Sequence, residues 1–183
     1  MRLFIASKVD EGVARRIDAG LRSIRSRVSR ASWVSPDAYH LTYAFLGEQE
    51  ATVVDRLRES MAELRVRRYS GVLSGGGFFP NSRRPRVGWV SPEDPERLQA
   101  IAGAVRRMLD DMAVAYDSKP FRPHLTLVRI KQRWVKRDVD EFLRVVERLG
   151  RIEACIDRVA LFRSELSTTG ARHTELVTAQ LGA

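Results

Sequence analysis

The sequence has a single cysteine, Cys155, which excludes a disulfide bond within the chain and is typical of proteins in the reducing cytoplasm. Its neighbours Ala154 and Ile156 are apolar, so we expect the Cys155 thiol to lie in the core. Apolar runs fall far short of the ~18 residues that a membrane-spanning helix needs. The apolar stretch in residues 1–8 is too short for a signal peptide and predicts a first strand instead. We therefore expect a cytoplasmic protein without a membrane partner.

Several motifs that identify common catalytic and cofactor sites are missing. There is no His-Glu-x-x-His, no Cys-x-x-Cys and no Gly-x-Ser-x-Gly, so neither a metal site nor a serine hydrolase is expected. The run Ser74-Gly75-Gly76-Gly77 resembles a phosphate-binding loop, but no Gly-Lys-Ser/Thr follows it. A β-bulge or a close approach of the backbone is the better interpretation of this run. No cofactor is expected.

Basic residues outnumber acidic ones, and most of them are arginine. The chain has 32 Lys and Arg residues against 23 Asp and Glu residues, which gives a net charge of +9. Arginine binds phosphate with two parallel hydrogen bonds and stacks on bases, so this composition favours a polyanionic partner such as RNA. Arginine enrichment is also typical of GC-rich genomes, and the composition leaves both explanations open. Only four of the basic residues are lysine: Lys8, Lys119, Lys131 and Lys136.

At 183 residues the chain is expected to form one domain, residues 1–183. Hairpins among the predicted strands favour an antiparallel α+β fold over a parallel α/β fold. Each half contains a helix, a strand with a histidine motif and another helix, which suggests two related lobes facing each other across a groove. Apolar spacing predicts a helix capped by Asp10 and ending near Arg27, and helices over 49–66, 93–112 and 136–149. Strands are predicted over 2–6, 31–34, 40–46, 69–79, 86–90, 124–130, 152–162 and 173–181, with a polar loop over 163–171.

Two of the three histidines occur in the same short motif, His-x-Thr-x. The motifs begin at His40 and His124, 84 residues apart, and each lies in an apolar run that is typical of a buried strand. Residues i and i+2 of a strand point to the same face, so His40 lies beside Thr42 and His124 beside Thr126. A single strand histidine is more often structural, but two matched motifs favour catalysis. The third histidine, His173, does not repeat the motif and is interpreted as a late-strand residue or as part of the groove's rim.

A pair of imidazoles suits general acid–base chemistry. Free histidine titrates near pH ~6.5, so one ring can accept a proton while the other donates one. Threonine hydroxyls can bind a phosphoryl oxygen without adding charge, and an arginine can supply the countercharge. This combination favours in-line displacement at phosphorus, such as the opening of a 2′,3′-cyclic phosphate by water, without a metal ion.

The sequence resembles the two-histidine (2H) phosphoesterase superfamily over nearly its whole length. It is most similar to the RNA 2′,3′-cyclic phosphodiesterases, also called LigT-like proteins or 2′-5′ RNA ligases. The most specific stretch runs from Phe121 through Arg-Pro-His-Leu-Thr to Arg129. The other matching segments are Arg2–Ala6, Trp33–Pro36, His40–Gly47, Gly77–Asn81, Arg84–Val87 and Leu161–Leu166.

The resemblance implies a bilobal α+β fold, with two antiparallel sheets flanked by helices, an approximate twofold axis and a central groove. It implies metal-independent hydrolysis of RNA 2′,3′-cyclic phosphate ends to 2′-phosphates, and reversible ATP-independent 2′-5′ RNA ligation at the same site. The substrates are then RNA ends or nucleotides with a 2′,3′-cyclic phosphate. By the same resemblance His40 is the proton donor, His124 the proton acceptor, and Thr42 and Thr126 bind the phosphate.

The resemblance also ties Phe45 and Arg129, each five residues after a motif histidine, to the substrate. In a regular strand they would face away from the histidines, so a bulge or a strand end is expected in each motif strand. Otherwise Phe45 belongs to the core and Arg129 is a solvated charge. Arg122 is placed near the groove, where it either binds substrate or anchors the loop before Pro123.

Two departures from the family pattern concern specificity. His173 stands where relatives often have tyrosine, and the Ser167–Gly170 loop has no distinctive residues. The alternative function is a binding module that holds RNA ends or nucleotides without turnover. A monomer is expected.

Overall fold

Residues 1–28, 31–167 and 170–183 are described by a computed structural model, with no side-chain description for residues 166–170. The first of two antiparallel sheets contains the first histidine motif. Its four strands are β1 (Arg2–Lys8), β3 (His40–Glu48), β8 (Arg158–Ser167) and β9 (Gly170–Gln180). Their order in the sheet is β3-β1-β8-β9, so the motif strand β3 lies at one end.

The second sheet contains the second histidine motif. Its strands are β2 (Ser32–Trp33), β4 (Tyr69–Phe79), β5 (Val87–Pro92), β6 (Leu125–Arg129) and β7 (Ile152–Ile156). Their order in the sheet is β2-β6-β5-β4-β7, so the motif strand β6 again lies near one end, with only the short β2 outside it. Each named strand pairing in both sheets is antiparallel.

Two helices cover each sheet, and the chain crosses between the lobes to place them. The second and third helices pack on β9 and β3, while the first and fourth pack together against β7 and β4. The first helix therefore follows a strand of one sheet but covers the other. The helices are α1 (Glu11–Arg27), α2 (Thr52–Ala62), α3 (Glu96–Asp111) and α4 (Lys136–Leu149), with a short 3-10 helix at Pro36–Ala38.

Local sequence explains where these helices begin and end. The Asp10 carboxylate accepts a hydrogen bond from the Val13 N–H at 2.8 Å, so the predicted cap of α1 is confirmed. Gly150 ends α4 with a φ of +64°, a conformation that glycine adopts without a steric penalty. The fully buried Ile17 and Leu21 of α1 repeat at helical spacing and face the core.

The glycine run in β4 forms a bulge, as the sequence predicts. The register between β4 and β5 shifts between Ser74 and Gly76, and Gly75 has a φ of +64°. A Cβ on Gly77 would lie 2.7 Å from the Trp89 ring, so this position also requires the close approach that only glycine permits.

Two predictions for the C-terminal region are wrong. The strand predicted over 152–162 breaks at Asp157 and contributes β7 to one sheet and β8 to the other. The polar loop predicted over 163–171 is instead the arm of a hairpin, in which Ser164 pairs with His173. Cross-strand hydrogen bonds satisfy the backbone of this arm, so its side chains need not be apolar. Thr168 and Thr169, in the loop noted as lacking distinctive residues, lie outside the described residues.

Cys155 is exposed, and its predicted place in the core is wrong. It lies in β7, whose buried positions are Ile152, Ala154 and Ile156. Because side chains alternate along a strand, the apolar neighbours of Cys155 point to the opposite face.

The core and the groove face of the first sheet are separate. The main hydrophobic cluster joins side chains from both sheets and all four helices. A smaller cluster in the first sheet contains Phe4, Ala6, Ala160 and Phe162, and the Phe4 ring packs against His40. Within the part of the chain that is described, none of the helices is long and apolar enough to cross a membrane.

Candidate active site

The two motif strands present their histidines and threonines in the same way. In β3, His40 and Thr42 are partly exposed while Leu41 and Tyr43 are buried. The second motif repeats this alternation, with partly exposed His124 and Thr126 on either side of the buried Leu125 and with Leu127 buried as well. The geometry expected of residues i and i+2 on a strand is therefore present twice.

A β-bulge in β3 brings Phe45 to the face of His40. Opposite β1, Ala6 pairs with Thr42 and Ile5 with Ala44, so Tyr43 is the extra residue. One extra residue reverses the alternation beyond it. Phe45 is accordingly 50% exposed, and its ring centroid lies 6.1 Å from that of Phe4, which also packs against His40.

The second motif strand has a bulge at the equivalent position. Trp89 of β5 pairs with Thr126 and Gly88 pairs with Val128, which leaves Leu127 as the extra residue. Leu127, like Tyr43, is the third residue after its motif histidine. Arg129 thereby turns to the face of His124, so the bulge that the sequence required is found in both strands.

The carbonyl of each bulged residue has a partner outside the strand pair that contains the bulge. The Tyr43 carbonyl accepts a hydrogen bond from Arg106 Nε of α3 at 3.2 Å. The Leu127 carbonyl accepts one from the Val34 N–H at 3.0 Å. Arg106 also donates to the Lys119 carbonyl at 3.0 Å, so this one guanidinium joins α3, the first bulge and the connector before β6.

Both motif histidines use the same ring nitrogen for a bond to the backbone. His40 Nδ1 lies 2.7 Å from the Ala38 carbonyl oxygen, and His124 Nδ1 lies 2.6 Å from the Arg122 carbonyl oxygen. A carbonyl oxygen can only accept, so each Nδ1 must carry the hydrogen. In the neutral rings Nε2 is then the unprotonated nitrogen, free to exchange a proton with a substrate.

Aromatic rings support each imidazole from one side. The Phe4 and His40 centroids are 5.2 Å apart, and the Phe79 ring meets His124 edge-on at 4.8 Å. His173 packs edge-on against both His40, at 5.4 Å, and Phe4, at 4.9 Å. His173 is not among the described residues that line the groove cavity, and it contacts His40 from β9.

A cavity of about 490 Å³ lies between the motif strands. This volume is in the range of small-molecule and cofactor sites. Its wall combines strands from both sheets with the connector before β6. All seven site residues predicted from the sequence line it: His40, Thr42, Phe45, Arg122, His124, Thr126 and Arg129.

Other lining residues were not predicted as part of the site. Arg106 and Lys119 add two cations, while Phe79 and Phe121 add aromatic surface. Phe79 lies within a segment that matches the family, but nothing in the sequence gave it a role. Arg106 occupies an ordinary polar position of a helix, and only the tertiary fold brings it to Tyr43. The lining carboxylate, Asp117, forms an ion pair with Lys119 at 2.8 Å.

Burial is the main cause of the lowered pKa values of the two motif histidines. The pKa of His40 is lowered from 6.5 to about 4, mainly by burial, with smaller contributions from the charges of His173, Arg129 and His124. The pKa of His124 is also lowered, first by burial and then by the positive charge of Arg129. The backbone hydrogen bonds to Ala38 and Arg122 oppose these shifts without overcoming them.

The positive charge of Arg129 acts on all three histidines. It lowers the pKa of His40, His124 and His173 alike. Among the described residues Arg129 forms no ion pair, and its side chain is exposed to the cavity. Within residues 1–28, 31–167 and 170–183, no group of three or more His, Cys, Asp or Glu side chains is arranged to hold a metal ion.

The lowered pKa of His40 predicts a pH dependence of stability. Between pH 6.5 and 4 the unfolded chain binds a proton that folded His40 does not, so lowering the pH through this window removes stability. From pH 7 to pH 4.5 the native protein should lose about 2 kcal/mol more unfolding free energy than His40→Gln. Urea denaturation of both proteins across this range measures the difference. Parallel curves would contradict the burial of a neutral His40.

Comparisons with known proteins identify the family of this chain. The sequence profile of the family described as LigT-like phosphoesterase matches residues 10–89 and 90–172, and each range contains one histidine motif. A Thermotoga maritima protein named RNA 2′,3′-cyclic phosphodiesterase is 32% identical over 178 residues, covering 93% of this chain and 90% of the relative. A Thermus thermophilus protein of the same name is 34% identical over 192 residues, covering 96% of this chain and 88% of the relative.

Solved structures show the same fold. A crystal structure of a protein from Thermus thermophilus superposes with a TM-score of 0.77 at 27% identity, covering 97% of this chain and 96% of the other. Escherichia coli LigT in complex with 3′-AMP superposes with a TM-score of 0.75 at 22% identity, covering 100% of this chain and 98% of the other, which shows the fold alone. Both the α+β architecture and the family resemblance predicted from the sequence are confirmed, and the chain belongs to the LigT-like phosphoesterase family.

Proposed function

We propose that the protein hydrolyses the 2′,3′-cyclic phosphate ends of RNA to 2′-phosphates, with His40 and His124 as the acid–base pair. One observation carries this proposal. Each imidazole donates its Nδ1 hydrogen to a backbone carbonyl, which leaves Nε2 to exchange a proton, and both residues line one cavity. Curated relatives that cover nearly the whole chain are named RNA 2′,3′-cyclic phosphodiesterase.

The proposed reaction includes two proton transfers, one to His124 and one from His40. Nε2 of His124 takes a proton from water as the water oxygen forms a bond to phosphorus. The bond between phosphorus and the ribose 3′ oxygen breaks, and Nε2 of His40 donates a proton to that oxygen. The product is a 2′-phosphate with a free 3′-hydroxyl. The proton gained by His124 and the proton lost by His40 balance, so no metal ion is required for either transfer.

Binding of the substrate's phosphate would supply the charged histidine that the reaction needs. Burial lowers the pKa of both histidines, so both are neutral near pH 7 when no anion is bound. A cyclic phosphate carries one negative charge, which offsets Arg129 and raises the pKa of the adjacent rings. We assign the donated proton to His40 because the family order gives that role to the first motif. Its low intrinsic pKa makes the charged form of His40 a strong proton donor.

The remaining cavity residues divide between phosphate and nucleoside. Thr42 and Thr126 stand beside the two histidines and can donate hydrogen bonds to phosphoryl oxygens. Arg129 adds a charge-assisted hydrogen bond to the same group. The exposed Phe45 offers a ring on which a base can stack. The Arg122 carbonyl accepts the hydrogen bond from His124 Nδ1 and so orients that ring. The exposed guanidinium of Arg122 is available to the substrate.

The same site can perform 2′-5′ RNA ligation. If a 5′-hydroxyl replaces water as the nucleophile, attack on the cyclic phosphate gives a 2′-5′ linkage and releases the 3′ oxygen with the same two proton transfers. ATP is not needed because the strained cyclic ester already carries the activated phosphorus.

We also propose that both lobes act as one domain, in a monomer in the cytoplasm. Both histidine motifs line one cavity within the chain, so a second copy is not required to complete the site. The exposed free thiol of Cys155 suits a reducing compartment.

Replacing either motif histidine tests the acid–base assignment. His40→Ala and His124→Ala should each lower kcat for a 2′,3′-cyclic nucleotide by about 10²–10⁴-fold, because each removes one proton transfer. His173→Ala, which also removes an imidazole next to His40, is the matched control and should retain much more activity. Excess EDTA should leave the native rate unchanged.

Two results would contradict this assignment. One is a loss of native activity with EDTA that added metal restores. The other is tight binding of the cyclic nucleotide by the native protein without turnover, which is the behaviour of a binding module.

Arg129→Gln tests the shared charge. Its loss should lower kcat/KM by about 10²-fold through the missing phosphate contact. Because Arg129 lowers the pKa of both motif histidines, its removal should also move the pH profile of kcat/KM to higher pH. Arg22→Gln on α1 removes the same charge outside the groove and should cause neither change. An unshifted profile for Arg129→Gln would show that this charge does not control the histidines.

A further inference from the structure

A basic turn stands at the mouth of the cavity. Residues 81–86 connect β4 to β5, and Arg83, Arg84 and Arg86 are all exposed. The turn is ordered by its own hydrogen bonds, since the Asn81 side chain accepts from the backbone N–H groups of Arg83 at 3.0 Å and Arg84 at 3.1 Å. The Arg86 N–H closes it by donating to the Phe79 carbonyl at 2.8 Å.

The turn is continuous with the cavity wall. Pro80 and Val87, the residues on either side of it, both line the cavity. Val87 pairs with Arg129 across β5 and β6, and the Ile130 N–H donates to the Arg86 carbonyl at 2.8 Å. The exposed Lys131 therefore follows directly on the strand beside the turn. We call Arg83, Arg84, Arg86 and Lys131 the basic rim.

The basic rim has no acidic residues nearby in the sequence. Neither residues 64–92 nor residues 118–137 contain Asp or Glu. Among the described residues, none of the four rim side chains forms an ion pair, whereas the helix cations Arg15, Arg27 and Lys136 pair with carboxylates. The positive charge of the rim is therefore concentrated and uncompensated.

The size of the cavity limits what it can hold. At about 490 Å³ it has the volume of a site for one small molecule. In the proposed function this is the terminal nucleotide with its cyclic phosphate. The rest of an RNA chain must leave through the mouth, and the feature that every following nucleotide repeats is a phosphate charge.

We propose that the basic rim binds the phosphate backbone of single-stranded RNA on the 5′ side of the terminal nucleotide. This inference rests on the proposed function for the position of the RNA end. Arginines on an ordered turn suit the purpose, because a guanidinium binds phosphate with two parallel hydrogen bonds. The rim reads no sequence, since phosphate contacts position a strand without distinguishing its bases.

The chemistry of the rim favours RNA over an acidic protein. Protein interfaces are enriched in aromatic and other apolar residues at their centre. The exposed large hydrophobic residues of the described chain are Met1, Phe45 and Val135, none of them in the turn. Phe45 lines the cavity itself, where a base of the RNA can use its ring.

The test compares a long and a short substrate. One is a mononucleoside 2′,3′-cyclic phosphate, and the other is an oligoribonucleotide with the same cyclic end. We expect the native protein to prefer the oligonucleotide in kcat/KM, and the variant R83Q/R84Q/R86Q to lose about tenfold of that preference. The control R22Q/R97Q/R148Q removes the same charge from exposed positions on three helices and should keep the native preference.

Binding provides a measurement that does not depend on turnover. Fluorescence anisotropy with an oligoribonucleotide ending in a 3′-phosphate gives the affinity at several salt concentrations. For three lost phosphate contacts, the slope of log affinity against log salt should be flatter by about 2 in the rim variant, and unchanged in the control. If the native protein fails to hydrolyse the mononucleotide, the proposed function fails, while the salt slope still decides the role of the rim.

Either of two results would overturn the proposal. In the first, the native protein shows no preference for the oligonucleotide in kcat/KM, and the rim variant has the same salt slope as the native protein. The other is an equal loss of affinity in the rim variant and the control, which would show a response to net charge rather than to these arginines. A rim that binds an acidic protein instead would give the first result.

Discussion

Each motif histidine donates its Nδ1 hydrogen to a carbonyl two residues before it, and the arrangement of the site depends on this bond. The partners are Ala38 and Arg122, at 2.7 and 2.6 Å. The bond fixes the ring orientation and the tautomer together, so in both neutral rings Nε2 is the nitrogen without a hydrogen. Its acceptor is a backbone carbonyl, which any residue supplies, and for that reason the bond can recur in two segments that share little sequence beyond the motif. Burial then keeps both rings neutral until an anion enters, because it lowers the pKa of each.

The two bulges give the matching histidine motifs different surroundings. Tyr43 and Leu127 occupy equivalent places, three residues after each histidine, and each bulge rotates the fifth residue into the groove. The first lobe thereby contributes the ring of Phe45 and the second the charge of Arg129. Two matching histidine motifs thus face different surroundings, one apolar and one cationic. A nucleotide end is equally asymmetric, with a base on one side and a phosphate on the other, so the bulges are suited to orient it.

Much of this could be predicted from the sequence, and the failures have physical causes. The motif strands, the helices and the need for a bulge follow from local periodicity, because Phe45 and Arg129 could not otherwise face the groove. Arg106 and Phe79 were missed because their contacts with Tyr43 and His124 join segments distant in sequence. Cys155 was wrongly placed in the core because its sequence neighbours are apolar, but neighbouring residues of a strand point to opposite faces. The break at Asp157, where the chain changes sheets, leaves no local signal in an alternating apolar run.

The central claim is that both imidazoles act on one phosphate. Arg129 lowers the pKa of each ring, and in the proposed mechanism the substrate's phosphate reverses this effect. A crystal structure of the protein with a bound nucleoside 2′-phosphate, the proposed product, tests this most directly. The account predicts that Nε2 of His40 and Nε2 of His124 each lie ~2.6–3.2 Å from an oxygen of the product, at its phosphate or its 3′-hydroxyl. A product bound outside the cavity, or one that only a single Nε2 reaches, would contradict it.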